Sequence, residues 1–203
     1  MRKQTHIATE EITVLILAGG LGSRMGGRDK GLVPVLGKPT LDHLLLRIRV
    51  QSQRILISAN RNLAQYAHYG YPVVRDTLGG FAGPLAGMLA GFSACKTPFM
   101  LTLPVDAPLV SPDYVQRMKG SLEHSDKPAC VAEFEGQLEP VFCLAERATA
   151  RTLETYLAAG HRSVQGWLEE IGATRVDFSD APEQFINLNR ARDQRRLETL
   201  LLC

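Results

Sequence analysis

A glycine-rich loop near the N-terminus holds the strongest candidates for chemistry. It covers residues 17–31 and reads Leu-Ala-Gly-Gly-Leu-Gly-Ser-Arg-Met-Gly-Gly-Arg-Asp-Lys-Gly. Glycines adopt positive φ angles and let the backbone approach a ligand closely, so successive N–H groups of such a loop can converge on an anion. Arg24, Arg28 and Lys30 add cationic donors suited to phosphate oxygens. The loop therefore predicts a phosphate-binding site.

Two familiar phosphate loops do not fit this sequence. A dinucleotide-binding fingerprint requires Gly or Ala where the loop has Met25. A P-loop requires Gly-Lys followed by Ser or Thr, whereas Lys30 lies between Asp29 and Gly31. Neither an NAD-dependent oxidoreductase nor a P-loop NTPase is supported. The alternative is that the loop binds no ligand and is a flexible surface connection whose basic residues serve solubility.

Asp106 is the candidate metal ligand. It follows a predicted strand and lies between Pro104 and Pro108, which limit the local backbone to few conformations. Mg²⁺ takes one or two carboxylates and fills its other positions with phosphates and water. A lone Asp after a strand is also a common turn former, so the residue alone leaves both interpretations open.

The elements that position these residues follow from the hydrophobic pattern. Strands are predicted at 12–18, 54–59, 72–75 and 98–103, and helices at 40–53, 62–69 and 84–94. This alternation predicts an α/β doubly wound fold with a mainly parallel, Rossmann-like sheet, whose ligands bind at the carboxyl ends of the strands. Ser111 and Pro112 are expected to begin the next helix.

The rest of the chain is expected to complete a single domain over residues 12–203. Strands at 128–134 and 138–144 suggest a small ancillary antiparallel sheet. Helices at 146–159 and 163–171, a short strand near Val176 and a last helix at 189–202 follow, with Asn189 as the expected N-cap. Residues 1–11 are polar and aperiodic and are expected to form a flexible tail.

Composition limits the partners and the compartment. The chain has 203 residues, with 23 Lys and Arg against 21 Asp and Glu, a formal charge of +2. It lacks the basic excess typical of nucleic-acid or membrane-surface binders, so neither is expected. No apolar run approaches the ~20 residues of a spanning helix. The scattered cysteines favour free thiols in a reducing cytoplasm, and a monomer is the expected state. The cysteines are Cys95, Cys130, Cys143 and Cys203.

The order of the motifs resembles the molybdenum cofactor guanylyltransferases, the MobA family of nucleotidyltransferases. The loop at 17–32 and the segment Gly-Lys-Pro at 37–39 match the family signature. Further matches are Asp76 and the segments 83–87, 104–108, 139–140 and 187–189. Together they extend from residue 14 to residue 189 in the family's order, so the resemblance covers nearly the whole chain.

The resemblance implies a reaction between GTP and molybdenum-bound molybdopterin, with Mg²⁺ as cofactor. It assigns catalysis to Arg24, Lys30 and Asp106, with the metal on Asp106. It assigns the nucleotide to Leu17, Ala18, Gly19, Lys30, Ser58, Asp76 and Asp106. Asn187 and Asn189 are placed toward the pterin. Transient contacts with proteins that supply or accept the cofactor are also in keeping with it. The family reads the base or ribose where this chain has Ser58 or Asn60, and it carries Asn at the position of Ser58, where this chain departs.

Other functions stay open at this level. A cytidylyltransferase for the same pterin or a sugar-phosphate nucleotidyltransferase would share the superfamily signature. Gly19 after Ala18 favours the guanylyl member, since cytidylyl relatives more often read Leu-Ala-Ala-Gly there. A non-catalytic nucleotide-binding module is the alternative from another class, and retention of Asp106 together with Lys30 argues against it.

Overall fold

A computed structural model describes residues 6–19, 27–76 and 83–202 of the chain. Within them, seven strands form one twisted sheet in the order β5-β4-β1-β6-β8-β7-β9. The strands are β1 (Ile12–Leu17), β4 (Ile55–Ser58), β5 (Val73–Val74), β6 (Phe99–Pro104), β7 (Ala129–Phe134), β8 (Gln137–Glu146) and β9 (Thr174–Asp177). Two short strands, β2 (Pro34–Val35) and β3 (Lys38–Pro39), form a separate antiparallel pair.

The central strands are parallel, as expected. β1 pairs in parallel with β4 on one side and β6 on the other, and β4 pairs in parallel with β5. Their side chains are buried on both faces, which explains why β1 reads as a continuous apolar run rather than an alternating one. The predicted α/β doubly wound fold is confirmed.

Helices cover both faces of the sheet. The helices are α1 (Thr40–Ile48), α2 (Leu63–Ala67), α3 (Pro84–Ala94), α4 (Tyr114–Glu123), α5 (Ala150–Ala158), α6 (Val164–Glu170) and α7 (Ala191–Leu201). Apolar side chains of α1 and α4 pack on one face, and those of α3, α5 and α6 pack on the other. No helix in the described ranges combines the length and the apolar character that a bilayer span requires.

Three expectations about the elements need correction. The hairpin of β7 and β8 joins the main sheet, because β8 pairs antiparallel with β6; the separate antiparallel sheet is β2 with β3. Helix α4 begins at Tyr114, two residues later than expected, because residues 112 and 113 form a turn in which the Tyr114 N–H donates to the Ser111 carbonyl at 3.2 Å; Gln51 Nε2 donates to the same carbonyl at 2.8 Å. The third correction concerns the N-terminal tail.

The described part of that tail, residues 6–11, is packed against the domain. Ile7 is 2% exposed and lies in the core cluster of the α1 and α4 face. Its backbone N–H donates to Glu123 Oε1 at 2.7 Å, and Thr9–Glu11 forms one 3₁₀ turn before β1. A single apolar residue in a polar segment carries no periodicity, so the sequence pattern could not indicate this contact.

Close packing between α3 and the sheet yields a test of the fold. A Cβ on Gly91 would overlap Leu15 Cδ2 and lie 3.0 Å from Leu15 Cδ1 and from Met100 Sδ. Gly91→Ala is therefore expected to lower the free energy of unfolding by about 1–3 kcal/mol, the usual cost of overpacking. Gly120, in α4, is the control, because nothing lies within 4 Å of its added Cβ. Gly120→Ala should raise stability by up to about 1 kcal/mol through helix propensity. Urea denaturation measures both, and equal midpoints for the two variants would contradict the close packing.

Candidate functional site

The site lies at the carboxyl edge of the central strands. Leu17 is in register with Ser58 on one side and with Pro104 on the other, so β1, β4 and β6 end at one level. Pairing continues one residue further, because the Ala18 N–H donates to the Ser58 carbonyl at 2.7 Å and the Val105 N–H to the Leu17 carbonyl at 3.0 Å. The residues that follow these strands therefore face one cleft, as the doubly wound topology requires.

Lys30 and Asp106 meet in this cleft. The Lys30 ammonium donates to Asp106 Oδ2 at 2.6 Å and to Asn189 Oδ1 at 2.5 Å. The side chains of Lys30 and Asp106 are 21% and 15% exposed, so the pair is accessible to a ligand. Two oxygen atoms from distant parts of the chain thus converge on one cationic centre. Lys30 is brought here by a 3₁₀ turn (Lys30–Leu32) that ends the glycine-rich loop.

The C-terminal segment supplies the third member of this group. Leu188 is buried with Val33, Val35 and Leu197 of α7, which anchors the segment beside the loop. The Leu188 N–H donates to the Asp106 carbonyl at 2.8 Å. The expected N-cap role of Asn189 is wrong: Arg190 occupies the cap position, and the Asn189 side chain turns to Lys30 instead. A charged partner holds the amide oxygen more strongly than a neutral backbone donor would.

A second polar pair lies where β4 and β5 end. Asn60 Nδ2 donates to Asp76 Oδ2 at 2.5 Å, and the Asp76 N–H donates to Asn60 Oδ1 at 3.2 Å. Asn60 is exposed and Asp76 is half-buried, so the pair is accessible to a ligand. Ser58 is 2% exposed, and its hydroxyl lies beneath Gly87 of α3, where an added Cβ would be 2.7 Å from Ser58 Oγ. At this strand end, Asn60 rather than Ser58 presents its polar atoms to the cleft.

The structure thus gathers most of the residues that the sequence singled out. Leu17 ends β1 and is followed by Ala18 and Gly19, with Asn60 and Asp76 on one side of them and Lys30 and Asp106 on the other. Asn187 is half-buried, and its side chain donates to the Phe185 carbonyl at 3.3 Å. Arg24 and most of the segment 79–83 lie outside the described residues.

Four further residues take part that sequence reasoning did not single out. Asp29 is 8% exposed, and its carboxylate contacts Arg61, Asn62 and Tyr66, which lie at and just before α2. A single Asp among glycines is typical of a solvated turn, so nothing local indicated that this carboxylate is buried. These contacts join the loop to the segment that follows β4.

Comparisons with known proteins show what this chain is similar to. The family described as MobA-like NTP transferase domain matches residues 14–174. A molybdenum cofactor guanylyltransferase of Cupriavidus metallidurans is 45% identical over 188 residues, with 90% of this chain and 92% of the relative covered. A molybdenum cofactor guanylyltransferase of Ralstonia nicotianae is 44% identical over 200 residues, with 94% of this chain and 98% of the relative covered.

The fold has a solved counterpart as well. The crystal structure of molybdopterin-guanine dinucleotide biosynthesis protein A from Archaeoglobus fulgidus superposes with a TM-score of 0.78 at 20% identity. The superposition covers 94% of this chain and 98% of that one. At this level of identity the likeness establishes the nucleotidyltransferase fold.

Proposed function

The chain belongs to the MobA-like NTP transferase family, and from that membership we propose that it transfers GMP from GTP to the phosphate of molybdenum-bound molybdopterin. The products are the molybdopterin guanine dinucleotide cofactor and pyrophosphate. The observation that carries this conclusion is the chain-long identity of more than 40% with guanylyltransferases. It favours this reaction over the cytidylyl, sugar-phosphate and non-catalytic alternatives, and the chain is a nucleotidyltransferase.

The nucleotide is held, in this proposal, across the carboxyl ends of β4, β1 and β6. The accessible Asn60–Asp76 pair binds the nucleoside, with Ser58 supporting that end of β4 from beneath. In this proposal the backbone of residues 17–19 and Lys30 bind the phosphates, and Arg24, which lies outside the described residues, is assigned to them as well. A triphosphate bears several negative charges, and cationic side chains with oriented N–H groups stabilise it.

The residues present fit a magnesium ion. Mg²⁺ takes one or two carboxylates when phosphates and water fill its other positions, and Asp106, whose Oδ2 accepts from Lys30, is a hard oxygen donor of that kind. Asp106 would hold the ion, and Asn189 would supply a neutral oxygen beside it. When bound, Mg²⁺ supplies Lewis-acid neutralisation of the phosphate oxygens. Asn187 and Asn189 both stay assigned to the pterin side of the cleft.

The transfer depends mainly on positioning and on electrostatic stabilisation. The acceptor phosphate attacks the α-phosphorus of GTP in line, the bond to the bridging oxygen breaks, and pyrophosphate leaves. Because a phosphate monoester is already ionised at neutral pH, no side chain needs to remove a proton from it. Lys30 and Arg24 stabilise the negative charge that develops on the departing pyrophosphate.

The proposed setting is a monomer in the cytoplasm, with transient contacts to proteins that supply or accept the cofactor. Cys95, Cys130 and Cys143 are free and buried, which suits a reducing compartment. Burial raises the pKa of the Cys143 thiol to about 12, so this thiol stays protonated and unreactive at neutral pH.

A nucleotide screen and a product assay test this function. GTP with Mg²⁺ should raise the apparent stability of the chain by about 2.7 kcal/mol at 100 times its Kd, and ATP, CTP and UTP should raise it less. Incubation with GTP, Mg²⁺ and molybdenum-loaded pterin should yield the guanine dinucleotide by mass detection. A preference for CTP would establish the cytidylyl alternative, and no response to any nucleotide would overturn the proposed function.

A further inference from the structure

The end of the glycine-rich loop is bound from one side by a short segment after β4, residues 61–66. The Arg61 guanidinium donates to the Gly27 carbonyl at 2.7 Å and to the Arg28 carbonyl at 2.9 Å. Its Nε lies 3.6 Å from Asp29 Oδ2. One side chain thus contacts three successive loop residues. A planar guanidinium with several donors is suited to fixing a backbone in this way.

Asp29 is the centre of this contact. Its side chain is only 5% exposed, and a buried carboxylate is costly unless it is paired and hydrogen-bonded. Asn62 Nδ2 donates to Asp29 Oδ2 at 2.9 Å, and the Tyr66 hydroxyl donates to Asp29 Oδ1 at 2.5 Å. Both carboxylate oxygens are therefore occupied by donors of the 61–66 segment, and the position of Asp29 is determined by that segment.

Tyr66 also limits the backbone on the other side of Lys30. Its side chain is fully buried, and a Cβ on Gly31 would lie 2.5 Å from the Tyr66 hydroxyl oxygen and 2.8 Å from Val105 Cγ2. Only glycine fits there without displacing them. The Tyr66 hydroxyl therefore donates to Asp29, just before Lys30, and packs against Gly31, just after Lys30. Burial and the Asp29 hydrogen bond raise the pKa of Tyr66 well above its usual value, so the phenol stays a donor at every physiological pH.

We propose that Asp29 and Tyr66 are positioning residues for Lys30. They hold the backbone on both sides of Lys30, so that its ammonium reaches Asp106 and, in the proposed function on which this inference rests, the triphosphate of GTP. A lysine side chain has high rotamer entropy, and a fixed backbone reduces the number of conformers that must be lost on binding. Arg61 and Asn62 extend the same support to residues 27–29. Residues 27–31 at the end of the glycine-rich loop and the strand end at Asn60 are thereby held as one unit.

The first test compares two tyrosine variants. Tyr66→Phe removes the hydroxyl and keeps the buried ring. Tyr69→Phe is the matched control, because the Tyr69 hydroxyl donates to Asp42 of α1, also at 2.5 Å, and that contact does not involve the loop. By isothermal titration calorimetry with Mg²⁺ present, Tyr66→Phe should raise the Kd for GTP about tenfold, the scale of one hydrogen bond to a charged group. Tyr69→Phe should leave the Kd within about twofold of wild type. Equal values for the two variants would overturn the proposal.

A double-mutant cycle separates positioning of Lys30 from a general loss of stability. If Tyr66 acts through Lys30, Tyr66→Phe should change the GTP Kd less than twofold once Lys30→Ala is present. A structural effect unrelated to Lys30 would give the same factor in both backgrounds and would refute the inference. Should Tyr66→Phe prove unfolded by circular dichroism, Asp29→Asn enters the same cycle, since it removes the buried charge and the acceptor of Asn62. A wild-type chain that binds no GTP would overturn the proposed function itself, whereas GTP binding that is indifferent to Tyr66 overturns only the positioning role.

Discussion

Asp106→Asn is expected to retain the fold and to lose turnover by about 10²–10³-fold, the size of effect seen when one group that stabilises transition-state charge is removed. Asparagine has nearly the same volume as aspartate and keeps an oxygen that accepts from Lys30. The contact that orders this turn is made by the Asp106 backbone carbonyl, which accepts from Leu188 and is unchanged by the substitution. What is lost is the negative charge that a metal ion requires. The variant should also need a higher Mg²⁺ concentration for half-maximal rate.

Steady-state assays at several Mg²⁺ concentrations measure both effects of Asp106→Asn. Asp113→Asn is the matched control, because the Asp113 side chain is 55% exposed and its carboxylate lies 3.9 Å from the Arg117 guanidinium. That variant should behave as wild type, since exposed ion pairs contribute little. Wild-type turnover in Asp106→Asn, at equal folded fraction, would remove Asp106 from the metal role.

Lys30→Ala is expected to raise the Kd for GTP by roughly 10- to 100-fold, the equivalent of the hydrogen bonds that a charged donor makes to phosphate. Some loss of stability is expected as well, because the Lys30 and Asp106 side chains are only 21% and 15% exposed and the variant leaves the Asp106 carboxylate without its charged partner. The Kd and the rate of turnover are therefore compared with wild type at equal folded fraction.

Calorimetric titration of GTP into Lys30→Ala measures the predicted loss of affinity. Lys127→Ala is its control, because Lys127 is half-exposed and reaches only its neighbour Asp126, at 4.0 Å. An unchanged Kd in Lys30→Ala would contradict the assignment of the loop to the triphosphate. A loss of the same size in Lys127→Ala would instead indicate that affinity depends on overall charge.

Much of the architecture is readable from local patterns. The run at Ile12–Leu17 and the apolar stripe of α1 depend on residues close in sequence, so their element types follow from periodicity alone. Pro84 begins α3 as its position predicts. Element bounds were less certain: the helix expected through residue 53 ends at Ile48. The resemblance along the chain singled out Lys30 in the glycine-rich loop and Asp76 and Asp106 after predicted strands, and the structure places all three at the carboxyl edge of the sheet.

Contacts between residues far apart in the sequence decided the features that local patterns do not predict. Asparagine is a preferred N-cap residue, yet the Asn189 side chain accepts a hydrogen bond from Lys30, 159 positions earlier, and does not cap α7. The strands β7 and β8 follow one another as an antiparallel pair does, and only the pairing of β8 with β6 makes the hairpin part of the main sheet. No local pattern distinguishes these cases, because the competing partner is absent from the surrounding sequence.

The placement of charges in this near-neutral chain likewise depends partly on sequence and partly on tertiary structure. The sequence by itself determined the fold class, the family and the sorting of Arg24, Arg28 and Lys30 into one loop, since these depend on residue type and order. Only the tertiary structure decided that Lys30 pairs with Asp106 and Asn189 and that Asp29 is buried among Arg61, Asn62 and Tyr66. The physical reason is that the cost of burying a charge is met by partners from distant segments, which come together only when the sheet has formed.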